Sequence, residues 1–336
     1  MESIFPFVMP KRPRRLRASE GVRRLARETR LSVDNLVAPL FIVDGKGIKD
    51  PIDAMPGQFR MSIDVLLQEV KEIYELGIPA VALFPAIEDS LKDPYGTECL
   101  NEKGLYPKAI QAVKTACPDL LVITDVALDP YSSDGHDGIV DEGVIDNDTT
   151  LTVLAKMAVL HSESGADIIA PSDMMDGRVM AIRELLDEAG YINVAILSYT
   201  AKYASAYYGP FREALDSAPK ALDGVPTDKK TYQMDPANGE EALRELHIDI
   251  EEGADMVMVK PAINYLDVIH RLSMESDVPV AAYHVSGEYS MIKAAVQAGW
   301  LDEKAAVLEA TTAIRRAGAS VIFTYFARQI AAWLKS

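Results

Sequence analysis

The sequence predicts an α/β chain folded as a (β/α)8 TIM barrel with an extended N-terminal arm, and three observations carry that prediction. Eight apolar, β-branched runs of strand length recur from residue 37 onward. Segments of helical period lie between most of them, and one helix-to-strand joint repeats four times. Near-continuous apolar strands alternating with amphipathic helices describe a parallel sheet covered on both faces. Eight such units close most simply into a barrel, with an open doubly wound sheet as the alternative.

Residues 1–30 stand apart. Pro6, Pro10 and Pro13 lie among basic residues, which favours an extended arm over residues 1–17, and Ser19 then caps a short helix over residues 19–30. Lys11 to Arg30 carries nine Lys or Arg against two Glu, so this stretch is +7 while the chain as a whole is −17. A basic arm beside an acidic body fits contact with another subunit of a homo-oligomer. The acidic body speaks against nucleic-acid binding, since phosphate contacts need a basic face. No apolar stretch approaches membrane-spanning length, so no membrane partner is expected. Cys99 and Cys117 stand in no metal or redox spacing, which fits a reducing cytoplasm, and the N-terminus lacks the apolar core of a secretory signal.

From residue 31 to 336 the predicted strands are VAPLFIV (37–43), IPAVALF (78–84), LLVITDVAL (120–128), ADIIAPS (166–172), VAILSYT (194–200), ADMVMVKP (254–261), VPVAAYHV (278–285) and SVIFTYF (320–326). Helical periodicity marks residues 62–77, 148–165, 178–190, 238–253 and 303–318, each ending in a glycine able to take the left-handed C-cap. The repeating joint reads LGIPAVALF, SGADIIAPS, EGADMVMVK and AGASVIFTY. Two long loops break the rhythm. Residues 129–148 are dense in Asp and Gly, and residues 202–238 carry Pro, Gly and basic residues; loops of this length often serve as lids or binding loops.

In a barrel, chemistry sits at the C-terminal ends of the strands. Those ends hold Asp125, Ser172 with Asp173, Tyr199 with Lys202, Lys260, Tyr283 with Ser286, and Tyr325. Lys260 closes a buried apolar run, and Lys202 follows the neighbouring strand. Two ammonium groups in one pocket repel, which lowers the pKa of at least one and frees an amine for imine formation with a ketone or aldehyde. Arg212, Lys229 and Lys230 on the second loop, with the hydroxyls of Ser286 and Tyr325, are candidates for holding a substrate carboxylate. The acidic loop supplies Asp129, Asp134, His136, Asp137, Asp141 and Glu142, oxygen-rich ligands that suit hard cations better than zinc.

The motifs APSDMMDGR (170–178), KYASAYYGPFRE (202–213), TYQMDPAN (231–238), DMVMVKPA (255–262) and VSGEY (285–289) resemble those of the porphobilinogen synthase family, also called delta-aminolevulinic acid dehydratase. The resemblance runs from the arm to the final helix. It implies a barrel hydro-lyase, usually octameric through its N-terminal arm, that condenses two 5-aminolevulinate molecules to porphobilinogen with loss of two waters, early in tetrapyrrole synthesis. Carried over by motif, Lys260 and Lys202 match the two imine-forming lysines. Ser286 and Tyr325 match the binders of one substrate carboxylate, and Arg212 and Lys229 the binders of the other. Asp125 and Ser172 correspond to groups near the first substrate's amine, and residues 203–233 include the family's lid.

Zinc-dependent relatives place three cysteines where Ala127, Asp129 and Asp137 stand here. The resemblance therefore implies no catalytic Zn2+, with Asp129 and Asp137 offering carboxylates to a hard cation or to the substrate amine. Glu245 matches the family's allosteric Mg2+ position, outside the active site. The rival readings are another imine-forming aldolase barrel with one lysine, and a noncatalytic protein whose basic arm binds nucleic acid.

Overall fold

The structure, a computed structural model, describes residues 11–335; residues 1–10 of the predicted arm, with Pro6 and Pro10, lie outside the described residues. Eight parallel strands form the barrel: β1 (Leu36–Val43), β2 (Ala80–Ala86), β3 (Leu121–Val126), β4 (Ile168–Pro171), β5 (Ala195–Lys202), β6 (Met256–Lys260), β7 (Val280–His284) and β8 (Val321–Thr324). Each pairs with the next in sequence, and β8 returns to β1 with Leu36 opposite Ile322 and Val37 opposite Phe323. That closure decides between the barrel and the open sheet. Burial on both faces explains why the strands are apolar throughout rather than alternating.

The repeated joint has a physical reason. In SGADIIAPS and EGADMVMVK the aspartate before the strand bonds the backbone of the preceding strand: Asp167 accepts from the Val122 amide at 2.7 Å, and Asp255 accepts from the Ile196 amide at 2.8 Å. Lys114 adds an ion pair to Asp167 at 2.9 Å. Gly253, at φ +104°, turns the chain from the helix Glu241–Glu251 into β6. The outer helices present one apolar stripe each; Leu66, Val70 and Ile73 of Ile63–Glu75 are buried at helical spacing.

Three expectations change. The predicted helix over 19–30 spans Glu20–Ala26: Ser19 caps it by accepting from the Val22 amide, and Arg27 leaves helical geometry at ψ 117°. The stretch expected to be extended forms a 3-10 turn at Pro13–Arg17, because proline's fixed φ suits the first turn of a helix as well as an extended chain. The acidic loop is not wholly irregular, since Ile139–Asp141 and Val144–Asp146 pair as an antiparallel hairpin leading into the helix Asn147–Glu163. A second small ribbon pairs Lys49–Pro51 with Phe59–Met61, whose far edge lies on β1.

Candidate active site

Lys202 and Lys260 end adjacent strands and stand opposite each other in the ladder. An irregularity produces that register. Val257 faces Ser198, whereas Val259 faces Ala201, so β5 carries one more residue than β6 over the same span. Without the extra residue Lys260 would face Ala201, and Lys202 would point to the other side of the sheet. The bulge puts both amines on the barrel's inner face.

Their surroundings differ. Lys202 Nζ bonds Asp137 Oδ2 at 2.8 Å and also donates to the Ser172 carbonyl. Burial works against its charge, but Asp137, Asp129 and Asp125 outweigh it and raise its pKa above the ordinary lysine value. Lys260 Nζ instead lies 4.7 Å from the ring centre of Tyr283, 5.0 Å from those of Tyr199 and Phe211, and 5.3 Å from that of Tyr208. Burial, and then the Lys202 charge, bring its pKa down to about 7 against the pull of Asp125, Asp129 and Asp137. The repulsion expected between two lysines therefore falls on one of them. Lys260 is the available amine, and Lys202 keeps its proton.

The carboxylates are similarly divided. Asp137, with no exposed surface, accepts from Lys202 and from Lys229 Nζ at 2.5 Å; despite burial, the two ammonium groups hold it well below the usual carboxylate range. Lys229 reaches Asp129 at 3.4 Å. Asp129 and Asp137 thus have protein partners, and Lys229, a candidate carboxylate binder, is buried between them. Asp125 is pushed up to about 7 by burial and then by Asp129, with Lys260, Lys202 and a hydrogen bond to Ser172 opposing.

Loops from opposite sides hold the cluster. His136 lies between Pro226 O, 2.7 Å from Nε2, and the Tyr232 hydroxyl, 3.0 Å from Nδ1; that hydroxyl also accepts from the Asp137 amide at 3.3 Å. The carbonyl acceptor requires the proton on Nε2. Behind β4, the buried Arg178 donates to Ser198 at 3.0 Å and to the Met175 carbonyl at 3.1 Å, and it pairs with Asp249 at 3.4 Å. This fixes the turn that presents the Ser172 carbonyl to Lys202.

The remaining predicted residues gather at the same rim. Tyr325 shares a 3.0 Å hydrogen bond with Tyr283 and stacks on Phe41. Ser286, at the start of the helix Ser286–Gln297, accepts from the Phe211 amide at 3.0 Å. Arg212 lies half-buried on the helix Gly209–Leu215, 6.0 Å from the Tyr208 ring. Glu245 lies apart, on Glu241–Glu251 beside a cavity of about 290 Å³ that Asp176, Glu241, Thr231 and Tyr232 also line. Sequence reasoning missed Tyr208 and Phe211, which join Tyr199 and Tyr283 around Lys260, missed Phe41 and Phe84 packed against Phe211, and missed Arg178 and Asp249. Phe41 and Phe84, near the ends of β1 and β2, were available as a signal, because strand ends at a barrel rim carry aromatic as well as polar groups to the site.

The family model for delta-aminolevulinic acid dehydratase matches residues 10–333. The chain belongs to the delta-aminolevulinic acid dehydratase family. It is 55% identical over 334 residues to the chloroplastic delta-aminolevulinic acid dehydratase of Physcomitrium patens, covering 99% of this chain and 76% of the relative. It is 51% identical to the Bradyrhizobium diazoefficiens dehydratase, covering 97% and 91%, and 50% identical to that of Synechocystis, covering 99% and 100%. The Toxoplasma gondii ME49 enzyme, solved with the reaction product porphobilinogen, superposes with a TM-score of 0.94 at 51% identity, covering 97% of this chain and 92% of that one. Membership of the dehydratase family makes the chain a hydro-lyase of tetrapyrrole biosynthesis, a porphobilinogen synthase by activity.

Replacing Asp137 with Asn leaves two buried ammonium groups without their shared counter-ion. Loss of a partner from a buried pair costs about 3–5 kcal/mol. Equilibrium denaturation should show D137N less stable than the wild type by about that amount at neutral pH. Because the pKa of Asp137 is lowered in the folded state, the difference is present above pH ~4 and shrinks as the pH falls through the native pKa.

Proposed function

We propose that the porphobilinogen-forming condensation runs through two lysine imines, with Lys260 reacting first. The observation that carries this reading is the division of charge between register partners: Lys260 is poised as a free amine near pH 7, and Lys202 is charged against Asp137. The Lys260 amine attacks the ketone of one 5-aminolevulinate and water leaves, giving an imine whose protonated form is an electron sink. Lys202 becomes a nucleophile toward the second molecule by passing a proton to Asp137 along their hydrogen bond. Loss of a proton alpha to one imine then yields an enamine carbon that attacks the other imine carbon; a substrate amine attacks the remaining imine carbon and expels its lysine, and elimination of the other lysine with loss of a ring proton gives the aromatic pyrrole and returns both lysines as free amines. Ser286 and Tyr325 hold one substrate carboxylate, and Arg212 with Lys229 the other. Asp125 and Ser172 face the first substrate's amine, with Asp129 and Asp137 beside it.

Lys202 is 6% exposed and Lys260 5%, so the lid over residues 203–233 must move for substrate to enter. Tyr208 and Phe211 of that lid complete the box around Lys260, which supports water exclusion from the imine. Adding borohydride to the protein with 5-aminolevulinate should leave a reduced adduct on Lys260, located by mass spectrometry after digestion. The initial rate of trapping should rise with pH through a midpoint near 7, as Lys260 loses its proton. No adduct on either lysine in folded protein would end the imine reading.

The residues present do not fit a catalytic Zn2+. Ala127 offers no ligand, and Asp129 and Asp137 are engaged by ammonium groups. We propose Mg2+ as the cation at Glu245. Burial raises that carboxyl to about 7; Arg178 opposes the shift, while Asp249, Asp176 and Glu241 add repulsion that a cation there would relieve. Thr231 and Tyr232 line the same cavity, and Tyr232 bonds His136, so occupancy there bears on the lid and supports an allosteric role. Added Mg2+ should raise activity, Glu245→Gln should abolish that response while leaving activity without the metal, and a zinc-selective chelator should have no effect. Zinc-restored activity after chelation would contradict this.

We further propose a homo-octamer joined through the N-terminal arm, supported by the +7 charge of residues 11–30 beside an acidic body and by Leu16 and Leu25 exposed on that arm. Removing residues 1–17 should lower the mass in solution; an unchanged mass would remove the idea. The free, buried Cys99 and Cys117 support a cytoplasmic setting, and no described helix is long and apolar enough to cross a membrane.

A further inference from the structure

The lid helix Gly209–Leu215 is held at both ends by side chains from outside the lid, and only one of those ends belongs to the site above. At its beginning the Phe211 amide donates to Ser286 Oγ. The approach is close enough that a Cβ on Gly287 would come within 2.5 Å of the Tyr207 carbonyl oxygen. At its end a seven-residue helix leaves carbonyls without intrahelical partners. The Arg212 carbonyl is taken by the amides of Asp216 and Ser217. The next two are taken by one guanidinium: Arg60 Nε donates to the Ala214 carbonyl at 2.6 Å, and Nη2 donates to the Glu213 carbonyl at 2.9 Å.

Arg60 is well placed to act as a fixed clamp. Its backbone lies on Phe59–Met61, paired on one side with β1 at Phe41 and Ile42 and on the other with Lys49–Pro51. Its third nitrogen, Nη1, is pinned by Asp50 Oδ2 at 2.7 Å. The planar fork therefore has a single orientation, with its free edge toward the lid. Its charge also complements the negative end of the helix. Between the two held ends lie Phe211, 5.0 Å from Lys260, and Arg212.

We propose that Arg60 is a positioning residue for the reaction: it fixes the C-terminal end of the lid helix so that Arg212 meets the second substrate's carboxylate and Phe211 closes over Lys260. This rests on the reading of Arg212 as a carboxylate binder. Arg60 touches neither substrate nor the reacting lysines. A lysine at this position would keep the charge but could not bridge two carbonyls and a carboxylate in one plane.

The full-length protein with Arg60→Ala and Arg60→Lys tests the assignment. Charge-assisted hydrogen bonds of this kind carry tenfold to hundredfold effects. Both variants should show KM for 5-aminolevulinate raised about tenfold or more with a smaller change in kcat. Trypsin should cut within residues 212–230 several-fold faster, with the thermal unfolding midpoint unchanged. Guanidinium at millimolar concentration should lower the KM of R60A and not that of R60K. Wild-type KM and cleavage in R60A would overturn the proposal. So would activity loss that tracks a lowered unfolding midpoint and ignores guanidinium. Borohydride trapping at Lys260 in the wild type separates the two readings: failure there strikes the imine chemistry, whereas trapping with an unaltered R60A strikes the Arg60 assignment alone.

Discussion

Two lysines held side by side on the inner face of a closed barrel are the constraint from which the rest of the site follows. Buried ammonium groups at neighbouring positions cannot both be stable without a counter-charge. The fold supplies a counter-charge to one of them. Asp137 comes from the loop after β3, and Lys229 reaches it from the loop after β5, so two long excursions meet over Lys202. Lys260 receives aromatic faces instead, two from strands and two from the lid. A ring face attracts a cation far less than a carboxylate at hydrogen-bond distance does, so burial prevails at Lys260 and the Coulomb attraction prevails at Lys202.

This arrangement ties stability to chemistry. Apolar strands, bottom-end aspartates bonded to neighbouring strand backbones, and ring closure between β1 and β8 make a scaffold rigid enough to hold an unfavourable pair at its rim. The network of Arg178, Ser198 and Asp249 extends that rigidity outward from β5 to the turn bearing Ser172. The segment proposed as a lid is built more lightly. Its helix has seven residues and is held by Ser286 from a helix start and Arg60 from a short strand, which fits the proposal that this segment moves.

Much of this was legible in the sequence because it depends on local pattern. Eight apolar runs gave eight strands with boundaries close to those observed, and reading their C-terminal ends singled out Lys202, Lys260, Asp125, Ser172 and Tyr325, which the structure brings to one rim. The repeated joint announced one recurring unit, although the reason its aspartates recur, a bond to the preceding strand, needs three dimensions. The bulge in β5 was not legible, because a single extra residue leaves no mark on an apolar run, yet it sets the register of the two amines. Part of the aromatic wall was hidden for a similar reason: Tyr208 and Phe211 look like loop in the sequence, and Phe41 and Phe84 behind Phe211 look like core. Arg60 sits in a three-residue strand that no periodicity could reveal. The partition of charge between the lysines depends on which of them meets Asp137, and sequence separation says nothing about that.

The chemistry of the site depends on Lys260 losing its proton near neutrality while Lys202 keeps its own. The direct measurement is an NMR titration of the protein labelled at the lysine side chains, with the two resonances assigned by Lys260→Met and Lys202→Met. Lys260 should titrate near 7, and Lys202 should stay charged beyond the ordinary lysine value. A Lys260 resonance titrating at the ordinary value of about 10.4 would contradict it.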